Sequence, residues 1–136
     1  MQQIYVNMPQ KDLKLRNTYR ERIELLQSRI SLLAGDNRLL MTMYLTNGNS
    51  FRQIARLSGV SESTIARRIH KITQRLTDGE YISCLRNRDK FTRQQLDVAR
   101  DYFLSGHSIR RIARKYDCTY YHVYKMIKQI RQIINH

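Results

Sequence analysis

Apolar residues recur along this chain with helical spacing. Tyr19, Ile23, Leu26, Ile30 and Leu33 step by four, three, four and three, with Leu25 and Leu32 widening the stripe. That pattern predicts an amphipathic helix over 11–34 that packs on a globular neighbour; pairing with a second copy along the same seam is the alternative. Further on, Leu40, Met41, Tyr44 and Leu45 sit at i, i+1, i+4 and i+5, and Val98, Ala99, Tyr102 and Phe103 repeat the spacing 58 residues later. Each set is one buried helical stripe.

The offset of 58 carries further. Gly48–Ile72 falls on Gly106–Ile130 without a gap, with identical pairs at Gly48/Gly106, Ser50/Ser108, Arg52/Arg110, Ile54/Ile112, Ala55/Ala113, Arg56/Arg114, Ile69/Ile127 and Ile72/Ile130. Val60/Cys118 and Ile65/Val123 stay apolar. The chain therefore contains an internal repeat.

Each copy reads as three short helices. In the first, Asp36 is positioned to cap a helix to about Leu45, Asn47-Gly48-Asn49 makes a turn, and Ser50 caps Phe51–Leu57. Gly59 then occupies a sharp turn suited to left-handed backbone, Val60 is expected to plug the core, and Ser61 caps a helix from Glu62 to about Leu76. Along that helix Ile65, Ile69, Ile72 and Leu76 share one face. In the second copy Thr92 and Gln95 form a capping box, with Phe91 and Leu96 as the accompanying hydrophobic staple. Gly106 ends the helix, Ser108 caps Ile109–Tyr116, and Thr119 caps a last helix running almost to His136. Asp117 replaces the turn glycine, a change the left-handed region tolerates in Asp.

The resulting organisation is a tail over 1–10, an N-terminal helix over 11–34, a first unit over 35–76, a connector over 77–91 and a second unit over 92–136. The connector begins at Asp78-Gly79 and reads equally as a short strand, a helical turn or a docked loop. Extended, its residues 77–90 would reach about 46 Å, against about 34 Å for one turn of B-form DNA.

Phe51–Ile69, FRQIARLSGVSESTIARRI, resembles the helix-turn-helix of lactose-repressor-type regulators, serine recombinases and some transposase N-terminal domains. With the leading helix added, each unit is similar to region 4 of bacterial sigma factors. The resemblance implies an all-α chain of two trihelical, homeodomain-like or sigma region 4-like helix-turn-helix units in tandem, preceded by the N-terminal amphipathic helix. It also implies that the last helix of each unit enters a major groove while the helix before it meets the backbone. Carried over residue by residue, Ser61, Glu62, Ser63, Ala66, Arg67 and His70 face bases in the first unit. Arg67 suits guanine O6/N7, and Glu62 suits a cytosine amino group. In the second unit the positions are Thr119, Tyr120, Tyr121, Tyr124, Lys125 and Lys128. Three tyrosines on such a face are unusual for a duplex reader: they can meet thymine methyls and phosphates, stack on an unpaired base, or pack against the other unit. Ser50, Arg52, Gln53, Ser108, Arg110 and Arg111, at the starts of the preceding helices, suit backbone phosphates.

Charge supports a polyanionic partner. The 136 residues carry 25 Lys and Arg against 11 Asp and Glu, a formal net charge of +14. The excess is +5 over 48–76 and +6 over 91–136, with a neutral segment over 77–90. Duplex DNA is the expected partner, with RNA polymerase or a recombinase as protein partners. The expected role is transcriptional regulation. The alternatives are a targeting subunit of a transposase or recombinase system, a sigma-like promoter reader, and an RNA-binding module.

Other chemistries find little purchase. Cys84 and Cys118 have no CxxC spacing, and Cys118 with His122 supplies two ligands where a zinc site needs more. There is no phosphate-cradling glycine loop, HExxH or nucleophile elbow, and nothing is left over in these residues for a recombinase catalytic domain. No cofactor, metal or enzymatic activity is expected. No apolar run is long enough to span a bilayer, and the first residues lack a signal-peptide pattern. The expected setting is the cytoplasm, in association with the nucleoid.

Overall fold

The computed structural model describes residues 10–135, with side chains from Thr18 onward. The expected tail falls almost wholly outside this range. Every element among the described residues is helical. The chain divides into two compact units, one up to His70 and one from Lys71.

In the first unit α1 (Gln10–Arg29) runs into a 3-10 turn over Ile30–Leu32. Leu26, Ile30 and Leu33 are buried, α1 touches the segment Thr42–Thr46, and Gln27 Nε2 donates to the Leu45 carbonyl at 2.8 Å. The C-terminal part of the predicted stripe thus packs within its own unit. Coverage thins towards the N-terminal end, where Ile23 is half-buried and Tyr19 is 55% exposed, and Leu25, one position round the helix from buried Leu26, is exposed.

Next comes α2 (Gly35–Met41), with Ala34 at the N-cap and no side-chain cap. Asp36 therefore does not cap. It lies in the first helical turn, where its charge still favours the positive end of the helix dipole. The helix then widens into a π-helical turn over Thr42–Thr46, closed by the amide of Asn47 on the Thr42 carbonyl at 3.0 Å. α3 (Phe51–Ser58) begins at Ser50 with a full capping box: the Ser50 side chain accepts from the Gln53 amide, and the Gln53 side chain accepts from the Ser50 amide. It ends at Gly59, whose φ of 71° is left-handed.

The amides of Gly59 and Val60 both turn back to the Ala55 carbonyl, at 2.9 and 3.2 Å. This turn carries the Val60 side chain outward. At 41% exposure it is not the core plug that its place in the motif predicts. α4 (Glu62–Asp78) restarts behind Ser61, which accepts from the Thr64 amide, and its predicted stripe of Ile65, Ile69, Ile72 and Leu76 is buried.

The second unit takes in the end of α4 and the connector, which is helical. α5 (Glu80–Arg86) buries Tyr81, Ile82 and Cys84 and packs on the helices that follow. No extended span of 46 Å therefore exists there, since a helix advances only about 1.5 Å per residue. A 3-10 turn over Arg88–Lys90 leads to α6 (Arg93–Ala99), which starts at the predicted Thr92–Gln95 capping box. α6 also ends in a π turn, over Arg100–Leu104. α7 (Ile109–Lys115) is capped by Ser108, and α8 (Tyr120–Ile134) by Thr119.

The repeat survives at the level of single hydrogen bonds. Both π turns sit 58 residues apart, and Asn49 N to Met43 O matches His107 N to Asp101 O, each 2.9 Å. Asp117, at φ 53°, is the one non-glycine with positive φ among the described residues and stands where Gly59 does. Ile54 and Ile112 are both fully buried, each followed by a buried alanine.

Space around a Cβ at Gly59 is open, so substitution there meets only backbone strain. Gly59→Ala is expected to cost about 1 kcal/mol, and Asp117→Gly to gain about 0.5 kcal/mol after glycine's entropic penalty. Urea unfolding of the two variants checks both signs.

Candidate nucleic-acid interface

Two helix faces remain once the buried stripes are accounted for. On α4, Glu62, Ser63, Arg67 and His70 are exposed and Ala66 is half-buried. Burial of Ile65 and Ile69 turns this face to solvent, because residues three and four apart share a side of the helix.

Local hydrogen bonds order it. The Ser61 hydroxyl caps α4 and lies 2.7 Å from the Thr64 hydroxyl, which accepts from Arg67 Nη2 at 3.4 Å. The Arg67 guanidinium is thereby directed towards the start of its helix. His70 sets its ring edge-on to Phe51 at 6.2 Å, and Phe51 stacks on Tyr44 at 5.0 Å. Its imidazole is thus steadied by an aromatic ladder whose other rungs come from α3 and the π turn.

On α8, Tyr120, Tyr121, Tyr124, Lys125 and Lys128 are exposed. Lys125 Nζ lies 5.8 Å from the Tyr121 ring centre, a cation–π distance one helical turn along. The helix contains no acidic residue.

At the starts of the preceding helices, Arg52, Arg110 and Arg111 are exposed. The capping residues at the same places are engaged locally. Ser50, Gln53, Ser61, Ser108 and Thr119 hold backbone amides, so each has a structural task whether or not it meets a ligand.

Several residues that shape the second unit were not singled out by the sequence. Asp101, only 3% exposed, accepts from Lys115 Nζ at 3.0 Å and from the Tyr116 hydroxyl at 2.7 Å. It ties the π turn to the end of α7 and so fixes the helix that carries Arg110 and Arg111. Burial and this bond push the Tyr116 phenol well above its ordinary range. Arg131 is likewise committed within its unit: it donates to Glu80 Oε2 at 3.1 Å and covers the rings of Phe103 and Tyr102 at 5.3 and 5.6 Å.

Arg75 Nη1 donates to the Leu104 carbonyl at 3.3 Å. Arg75 and Arg131 also line a cleft of about 600 Å³ with Lys71, Glu80 and His107. The one sequence sign of these pairings is that Asp101 is an acid placed beside an apolar stripe. Its partners lie 14 and 15 residues on.

Cys84 is fully buried, and burial pushes its thiol up to about 11, with Glu80 adding to the rise. Among the described residues no group of three His, Cys, Asp or Glu side chains is placed to hold a metal ion. None of the helices there is long and apolar enough to cross a membrane. Comparisons with protein-family models, with curated proteins and with solved structures find no match to this chain.

Burial lowers the pKa of His107, and Arg111 and then Lys115 reinforce the shift against an opposing pull from Asp101. A lowered folded-state value means the unfolded chain takes up the proton first. Stability is therefore complete above the ordinary imidazole value of 6.5, and it falls as pH drops below that value until the folded His107 also titrates. The melting temperature is expected to fall between pH 7.5 and 5.5, and to fall less in His107→Asn. An unchanged slope in the variant would remove His107 from this role.

Proposed function

We propose that the chain binds duplex DNA sequence-specifically through two helix-turn-helix units, α3–α4 and α7–α8, and acts as a regulator of transcription. In this reading α4 and α8 enter major grooves, and Arg52, Arg110 and Arg111 hold phosphates at the starts of α3 and α7. One observation carries it. The same framework of cap, short helix, left-handed turn, cap and long helix occurs twice at a spacing of 58. In both copies the solvent side of the second helix has no core duty, within a chain of net charge +14. Arg67, the side chain best suited to guanine, lies on this face, inclined towards the start of α4 by its 3.4 Å contact with the Thr64 hydroxyl.

An enzymatic role gains no support from the buried Cys84 or from the committed pairs Asp101–Lys115 and Glu80–Arg131. Their polar groups satisfy one another and hold elements together.

Selection of bound sequences from a random duplex pool tests the reading, with enrichment of a defined site as the expected outcome. Arg67→Ala is then expected to relax preference at one base position at a cost of about 1–3 kcal/mol, whereas Arg110→Ala weakens all sequences alike. With about 6–10 phosphate contacts, affinity falls about 10³–10⁵-fold between 50 and 200 mM salt. A uniform loss across sequences for Arg67→Ala would withdraw its base contact, and a flat salt response would withdraw the DNA reading itself.

A further inference from the structure

The two copies keep one core and carry two different faces. At the offset of 58 five buried pairs correspond in burial and in type, Ile54 with Ile112, Ala55 with Ala113, Ile65 with Val123, Ile69 with Ile127 and Ile72 with Ile130, while buried Met126 stands against half-buried Arg68. On the exposed face of the second helix, beyond the shared Ser61/Thr119 cap, the pairs differ in type except for one cation. Glu62 faces Tyr120 in the alignment, Ser63 faces Tyr121, Ala66 faces Tyr124, Arg67 faces Lys125 and His70 faces Lys128. A core kept in register beside a face replaced wholesale points to one scaffold serving two ligand geometries.

The chemistry of the second face sets what it takes. Tyr121 is 64% exposed, and Tyr120 and Tyr124 also stand out from the surface. Inside a major groove a side chain meets base edges, where a phenol hydroxyl makes single contacts and cannot make the paired bonds that identify a base. The rings find at most a thymine methyl there, and no base face to stack on. An unstacked base offers a ring face, and aromatic side chains recognise it by stacking. Lys125 lies beside the Tyr121 ring, Lys128 is one turn on, and α8 has no acid to repel a phosphate chain. Rings for bases with cations for phosphates, and nothing anionic between, complement a strand that leaves the duplex.

We infer that the α8 face of the second unit captures an unpaired base in DNA, through Tyr121 and Tyr124 with Lys125 and Lys128 on the adjoining phosphates. The inference rests on the DNA-binding reading above and narrows it at α8: the first unit reads paired sequence in a major groove, and α8 meets the DNA where a base has left the stack.

The full chain is titrated, at one salt concentration, with a duplex carrying a single bulged 2-aminopurine and with the fully paired duplex of the same flanking sequence. Expected are about tenfold tighter binding of the bulged duplex and quenching of the 2-aminopurine fluorescence on binding, as stacking requires. Because these tyrosines are exposed, Tyr121→Ala/Tyr124→Ala is expected to keep the helical circular-dichroism signal. It should bring the ratio of the two affinities to about one, while the corresponding double Phe variant keeps the ratio. Equal affinity for both duplexes, or a preference that survives the double Ala variant, overturns the inference and leaves duplex recognition standing. Absence of binding to either duplex removes both. Concentration-dependent self-association that the double Ala variant abolishes would assign the face to a second copy of the chain and overturn the inference as well.

Discussion

A helix that must stop and restart within a few residues, without stranding its backbone polar groups, is the constraint on which each half of this molecule depends. Three devices meet it together. A left-handed residue reverses the chain, at Gly59 in one copy and Asp117 in the other. The amide after that residue, of Val60 or Cys118, returns to the carbonyl of the buried alanine, Ala55 or Ala113. A hydroxyl then takes up an amide at the start of the next helix. With the turn satisfied internally, the second helix can bury one stripe and leave the opposite side unemployed.

The alanines matter for a related reason. Each follows a fully buried isoleucine and is itself buried, which places the volume of the pair on one residue and lets the backbone of the other lie close to its neighbours. A π turn ahead of each pair completes the pattern. It adds a residue to the helical turn and redirects the chain before the next cap, and its occurrence at the same place twice marks it as part of the framework. In the second copy the buried Asp101 secures this turn to α7 through Lys115 and Tyr116. In the first, the corresponding Met43 offers no such anchor, and α1 packs on the turn instead.

Much of this was legible in the residue order because it is local. Capping boxes at Ser50–Gln53 and Thr92–Gln95, the left-handed positions, and the spacing of Ile65, Ile69, Ile72 and Leu76 each follow from interactions spanning three or four residues. Misreadings occurred where a side chain's surroundings come from distant segments. Val60 follows a left-handed turn whose exit direction decides its burial, and spacing alone cannot give that direction. Asp36 has a capping side chain, but the chain enters α2 two residues earlier, at Ala34. The connector carries enough apolar residues for a strand or a helix, and only the hydrophobic surface offered by α6 and α8 selects α5.

The sequence by itself determined the helical class, the internal repeat, the caps at Ser50, Ser61, Thr92, Ser108 and Thr119 and the left-handed turns at Gly59 and Asp117, since these depend on neighbours along the chain and on a periodicity that any helix imposes. Tertiary structure decided which turns of α1 are covered, that each leading helix closes with a π turn, and that Asp101, Arg75 and Arg131 are spent on holding elements together. Those outcomes depend on which surfaces meet across a unit, and residues 14 to 51 positions apart have no spacing rule to announce them.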